Sequence, residues 1–193
     1  DDFEQETPGL EWNFIQVPKK DAPFYSFEDG TFRLMVSEKQ IGERGTPAFM
    51  GRRLQHLDFK ATTELVFDPT NEHEQAGMTL VNNGQHFDVL VKNAGDKRVV
   101  FVELQFGKIT YKSKEFVLEP GPVNLRVSGQ KTSFTFSFSQ EEKYVDIETV
   151  DSRFLSTETV GWFTGVYVGL YATSKGEASE GYAEYDYFEY AGK

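Results

Sequence analysis

Apolar residues recur at every second position along most of this chain. Phe59, Ala61, Thr63, Leu65 and Phe67 fall on one side of an extended backbone, with Asp58, Lys60, Thr62 and Glu64 on the other. Phe87, Val89 and Val91 repeat the pattern, then Val100, Val102, Leu104 and Phe106, then Val123, Leu125 and Val127. Phe134, Phe136 and Phe138 alternate with Thr135, Ser137 and Ser139. A period of two sends successive side chains to opposite faces, so each run predicts a strand with one buried face. The wealth of Phe, Tyr, Val and Thr suits such strands. No run has the 3.6 period of an amphipathic helix, although Ser152 to Thr159 fits a short helical turn.

Turn chemistry separates the runs. Asp29-Gly30 and Asn83-Gly84 supply the positive φ that a tight hairpin demands. Glu119-Pro120-Gly121-Pro122 breaks two strands, and Ser128-Gly129-Gln130 is expected to turn the chain into the Phe134 strand. Such breaks come about every 8–14 residues, the rhythm of an all-β sandwich or barrel. Roughly a dozen strands favour a two-sheet antiparallel jelly roll over a seven-stranded immunoglobulin domain. No repeat or linker divides the chain, so residues 1–193 read as one domain. Gly181 to Tyr190 reads as the last strand and Trp12 to Gln16 as one of the first. Pairing these two is expected to tie down both ends.

Composition removes several chemistries. The 193 residues include no Cys, which excludes thiolate metal sites, disulfides and thiol nucleophiles. A chain of this size can fill a core without such staples. Asp and Glu number 31 against 20 Lys and Arg, a net charge of −11 that argues against a nucleic-acid partner. No apolar run approaches the roughly 18 residues of a membrane-spanning helix. Asp1 opens no leader; an exported protein would already have lost it, and a periplasmic or extracellular bacterial location is favoured over the cytoplasm. His56, His73 and His86 lack metal-site spacing and read as ordinary surface or partly buried histidines. Neither a Gly-x-Ser-x-Gly elbow nor a nucleotide-binding loop occurs.

Three features carry candidate chemistry. Glu184-Tyr-Asp186-Tyr-Phe-Glu189 has the Glu-x-Asp-x-x-Glu spacing of the jelly-roll β-glucanases. On a strand Glu184 and Asp186 share a face, and a one-residue bulge returns Glu189 to it, as paired-carboxylate glycoside hydrolysis needs. Against this, those enzymes carry the motif mid-sheet, and here it ends four residues from the last residue. The plain alternative is a final strand with Phe188 in the core and acids at its margin. Gly161-Trp-Phe-Thr-Gly165 sets two large rings between two glycines, as a loop presenting a flat ring to a sugar would. The alternative is that Trp162 and Phe163 are core residues at a strand start. In Arg52-Arg53 one guanidinium is expected to face a sheet interior or groove and to need a carboxylate or carbonyls there.

Ala48-Phe-Met-Gly-Arg-Arg53, Phe59-Lys-Ala-Thr-Thr-Glu-Leu65 and Glu74-Gln-Ala-Gly-Met78 resemble one family in order and spacing. Phe163-Thr-Gly-Val-Tyr-Val-Gly169, Tyr171-Ala-Thr-Ser174 and Tyr187-Phe-Glu-Tyr190 continue the likeness, which runs from about Leu10 to Tyr190. The whole resembles the C-terminal concanavalin A-like domain of family 43 glycoside hydrolases, the β-xylosidase branch. The resemblance implies a non-catalytic sandwich that follows a five-bladed β-propeller in the same polypeptide, packs on it and helps close its pocket. It implies β-xylosides or α-arabinofuranosides as substrates. It assigns Trp162, with Phe163 second, to the pocket wall, where other members carry Phe in place of Trp162. Concanavalin A-like sandwiches often hold a structural calcium near the chain ends, for which Asp2 and Asp186 are candidates. Otherwise no cofactor is expected. A free-standing carbohydrate-binding module is the alternative, followed by a catalytic glucanase using Glu184, Asp186 and Glu189.

Overall fold

The computed structural model describes residues 1–19, 23–161 and 163–193. Two antiparallel sheets face each other. The first runs in the order β1 (Tyr25–Glu28), β2 (Thr31–Met35), β14 (Tyr182–Gly192), β4 (Phe59–Val66), β10 (Val123–Gln130), β11 (Ser133–Ser139) and β12 (Val145–Asp151). The second runs β3 (Ala48–Arg53), β13 (Tyr167–Thr173), β5 (Gln75–Asn82), β6 (Gln85–Ala94), β7 (Lys97–Phe106) and β8 (Ile109–Lys112). Beside β8, β9 (Phe116–Val117) also pairs with β7. This is the two-sheet all-β sandwich that the alternation predicts.

The alternating residues meet between the sheets. Phe32, Ala61, Leu65, Leu125, Val127 and Phe136 of the first sheet pack on Met78, Leu80, Val89, Val100, Val102 and Leu170 of the second. Each such Phe, Leu, Val or Met side chain, fully withdrawn from water, contributes about 1.5–3 kcal/mol. Tyr185 crosses this core from the first sheet. Its phenol O–H reaches the backbone carbonyls of Gly77 at 3.0 Å and Tyr171 at 3.1 Å, on neighbouring strands of the second. Burial keeps the phenol protonated well above its ordinary range. Tyr185→Phe removes this hydrogen-bonded tie between the sheets. It is expected to cost about 0.5–1.5 kcal/mol in urea unfolding, with the strand content of the circular dichroism spectrum unchanged.

Three local expectations are corrected. Trp12 to Gln16 is not a strand: Asn13 makes a single two-bond bridge with Gly51, and the Trp12 ring turns inward onto Phe188, centroids 5.0 Å apart. The N-terminus is nonetheless tied to β14, because Asp1 exchanges backbone hydrogen bonds with Phe188 and its carboxylate accepts from the Trp12 indole at 2.7 Å. Gly129 does not turn the chain. It sits within β10 opposite Phe134, under the Phe59 ring, where an added Cβ would meet Phe59 Cε1 at 2.2 Å. The turn comes at Lys131, whose φ is 52°.

The third correction concerns the second sheet, whose central strands are buried on both faces. All eight residues of β5 are buried. On its outer side Ile41, Phe49, Val81, Leu90, Phe101 and Tyr171 form a smaller apolar cluster. Ile41 comes from the segment joining β2 to β3, which folds over this face and donates its N–H to the Tyr171 hydroxyl at 3.4 Å. Lys92 and Lys112 lay their ammonium groups over the Phe101 ring, 5.3 and 4.8 Å from its centroid. A strand alternation that leaves polar residues outward does not reveal a covering loop.

Candidate functional site

Two clefts open at the end of the second sheet where β5 turns into β6. The turn is Asn83 (φ 48°) and Gly84 (φ 76°), both left-handed, as a two-residue hairpin requires. Gly84 touches the crossing segment at Gly42, itself at φ 89°. A Cβ on Gly42 would lie 3.0 Å from the Gly84 carbonyl oxygen, so glycine meets both demands there. Gly42 and Gly84 line both clefts. One, about 500 Å³, has Phe14, Ile15, Phe49 and Tyr167 for apolar walls and Asn13, Asn82 and Asn83 for amides. The other, about 360 Å³, is lined by Gln40, Gln85, His86 and Gln105.

The segment after β12 borders the larger cleft. A 3-10 turn (Ser152–Leu155) is capped by Asp151, whose carboxylate is held at about 2 by hydrogen bonds from Arg153. Ser156 then caps α1 (Thr157–Val160), which ends on Gly161 at φ 71°. Gly165, at φ 75°, lies just before β13. This is the helical turn expected around Ser152 to Thr159. Between the glycines Phe163 stands 98% exposed, outside the core. Trp162 lies outside the described residues. Asn82 is buried, and its amide N–H donates to the Leu155 carbonyl at 2.8 Å while its amide oxygen accepts from Thr164 Oγ1 at 3.4 Å. Asn83 Nδ2 donates to the Val160 carbonyl at 3.1 Å.

A buried charged network lies under the smaller cleft. His86 Nδ1 pairs with Asp88 Oδ2 at 2.7 Å, and both side chains are almost wholly buried. Burial alone would lower the imidazole pKa, but Asp88 outweighs it and raises it above the ordinary value. Asp88 lies opposite Glu103, whose carboxylate meets Lys175 at 2.5 Å and Lys112 at 3.5 Å. Burial pushes Glu103 up, yet these two ammonium groups hold it below the usual carboxylate range. The sequence reading passed over this pair. His86-x-Asp88 on a strand places both side chains on one face, and that spacing was the available signal.

Comparison with known proteins decides the family. The model described as "Beta xylosidase C-terminal Concanavalin A-like domain" matches residues 1–191. The chain belongs to that family. Its sequence is 30% identical over 192 residues to the non-reducing end alpha-L-arabinofuranosidase BoGH43B of Bacteroides ovatus, covering 98% of this chain and 36% of that protein. It is 29% identical over 187 residues to a xylosidase/arabinosidase of Butyrivibrio fibrisolvens, covering 93% of this chain and 35% of the relative. The solved structure of Bacteroides ovatus Xyloglucan PUL GH43B superposes with a TM-score of 0.93 at 30% identity, covering 100% of this chain and 39% of that one. The chain thus spans just over a third of the length of these relatives.

The remaining candidate residues of this concanavalin A-like domain lie away from the clefts. β14 carries one extra residue against β4 between Tyr185 and Phe188. Glu184 accepts from Arg33 Nε at 2.7 Å, and Arg33 also pairs with Glu28. Asp186 is exposed at the bulge, and Glu189 accepts a 3.5 Å hydrogen bond from Thr62. Asp2 accepts from the Glu4 N–H at 3.4 Å. Among the described residues no three His, Asp or Glu side chains converge as a cation would need. Arg52 and Arg53 find aromatic faces rather than carboxylates: Arg52 stacks over Tyr190 at 4.8 Å and Arg53 over Tyr167 at 5.6 Å. A guanidinium is weakly hydrated and planar, so it stacks readily on a ring, although the buried Nε of Arg52 has no hydrogen-bond partner. His56 contacts the Tyr190 hydroxyl at 3.2 Å, and His73 is exposed.

Proposed function

We propose that this chain is the non-catalytic sandwich of a larger family 43 glycoside hydrolase, packing on a β-propeller catalytic domain and lending the Gly161–Gly165 loop to the wall of its substrate pocket. The observation that carries this reading is Phe163, a large ring left 98% exposed on a loop pinned at both ends. Exposed apolar area is worth about 25 cal/mol per Å² once a partner covers it. Phe163 is therefore prepared for a contact that the sandwich does not itself provide. The relatives' names point to β-xylosides and α-arabinofuranosides as substrates of the whole enzyme. Trp162, beside Phe163 in the chain, is assigned to the same wall.

A test compares the 193-residue chain with the protein made from its full reading frame. The chain alone is expected to turn over neither aryl β-xyloside nor aryl α-arabinofuranoside, and the full protein to hydrolyse at least one. Turnover by the chain alone that is lost in Glu184→Gln would overturn this reading and favour a catalytic sandwich using Glu184, Asp186 and Glu189. A carbohydrate-binding module is the second reading. The larger cleft favours it, because Phe14 and Tyr167 beside Asn13 and Asn83 pair aromatic with amide surface. Calorimetric binding of xylo- or arabino-oligosaccharide to the isolated chain would support that reading.

A further inference from the structure

The Asn82-Asn83 pair does more than turn a hairpin. Three of its amide contacts reach the segment that carries Phe163: Leu155 O before α1, Val160 O at its end and Thr164 Oγ1 after the apex. The first and last involve one buried side chain, Asn82, which uses its donor on one flank and its acceptor on the other. Neither aspartate nor leucine can do both, since one lacks the N–H and the other has no polar group. The backbone bends at Gly161, between the contacts, and at Gly165, just after the last of them; at both φ is positive and an added Cβ would meet nothing. The two asparagines hold the backbone and side chains on either side of Phe163.

We propose that Asn82 and Asn83 are positioning residues that fix Phe163 in the loop, and so set the shape of the pocket wall it supplies. This rests on the pocket-wall reading above, but the clamp itself can be tested without it. A substrate-facing ring displaced by about 1 Å can cost as much as a hundredfold in rate, so a restraint of this kind acts on turnover from a distance.

The chain has no cysteine, so Phe163→Cys gives one labelling site for a nitroxide. Asn83→Gly keeps the left-handed turn and removes only the amide, which avoids the folding risk of changing buried Asn82. In the labelled chain Asn83→Gly is expected to narrow the spectrum, and Asn82→Ala to narrow it further. In the full-length enzyme Asn83→Gly should lower kcat/KM by about tenfold with Tm nearly unchanged. That loss should vanish when Trp162 and Phe163 are already alanine, since a clamp with nothing to position has no effect. Unchanged spectra in both asparagine variants would overturn the proposal. Narrowed spectra with unchanged kinetics would uphold the clamp and sink the pocket-wall reading, and an equal kinetic loss in the alanine background would show a general structural effect instead.

Discussion

Trp162→Ala in the full-length enzyme is expected to lower kcat/KM by about 5- to 150-fold while leaving Tm nearly unchanged. The magnitude is that of one aromatic contact realised at the reacting sugar, about 1–3 kcal/mol. Such a ring holds the sugar by stacking and by excluding water. Were Trp162 a core residue, its truncation would cost roughly 3–5 kcal/mol of stability and leave the kinetics of the folded fraction alone. Phe163→Ala is the companion variant. Because Phe163 is 98% exposed, its removal leaves the sandwich core intact, so any kinetic loss belongs to the pocket. A large fall in Tm for Trp162→Ala with normal kinetics would end the assignment.

Asp88→Ala is expected to destabilise the fold by about 3–5 kcal/mol at pH 5.5, and by clearly less at pH 8.5. Removing one partner of a buried ion pair leaves the other charge uncompensated, which sets the size at low pH. His86 gains Asp88 as a partner on folding, and its folded pKa lies above the ordinary value of about 6.5. Its contribution is therefore complete below about pH 6.5 and fades as pH rises through the higher folded value. In Asp88→Ala the imidazole loses its partner and burial lowers its pKa instead, so the pH dependence should reverse, with the variant losing stability as pH falls. Urea unfolding of both proteins across this pH range measures the effect. Equal destabilisation at both pH values would show that packing around Asp88, not the charge pair, is what the fold uses. Lys175, Lys112 and Glu103 stay paired in the variant, so the difference reports on His86.

Much of the sandwich was legible because strand burial writes itself as a period of two. Phe59, Ala61, Leu65, Phe134 and Phe136 all proved to lie in the core, and Asp29-Gly30 and Asn83-Gly84 both proved to be hairpin turns. Gly129 misled because glycine marks a close approach as readily as a turn, and only the Phe59 ring above it tells them apart. Trp12 misled because a segment with strand-like composition also suits a chain that plugs the end of a core. Arg52 and Arg53 were read by charge, whereas rings distant in sequence supplied their partners.

By itself the sequence determined the fold class, the strand-forming segments, the hairpin turns and the family, since each depends on residues close together along the chain. Tertiary structure alone decided which loop covers the second sheet, that His86 and Asp88 are buried beneath a cleft, and that Asn82 spans both flanks of the aromatic loop. These depend on contacts between residues 73 to 130 positions apart, such as Asn82 with Leu155 and Ile41 with Tyr171. A local pattern carries no record of such partners, because the same alternation is compatible with an outer face left in water or roofed by another part of the chain.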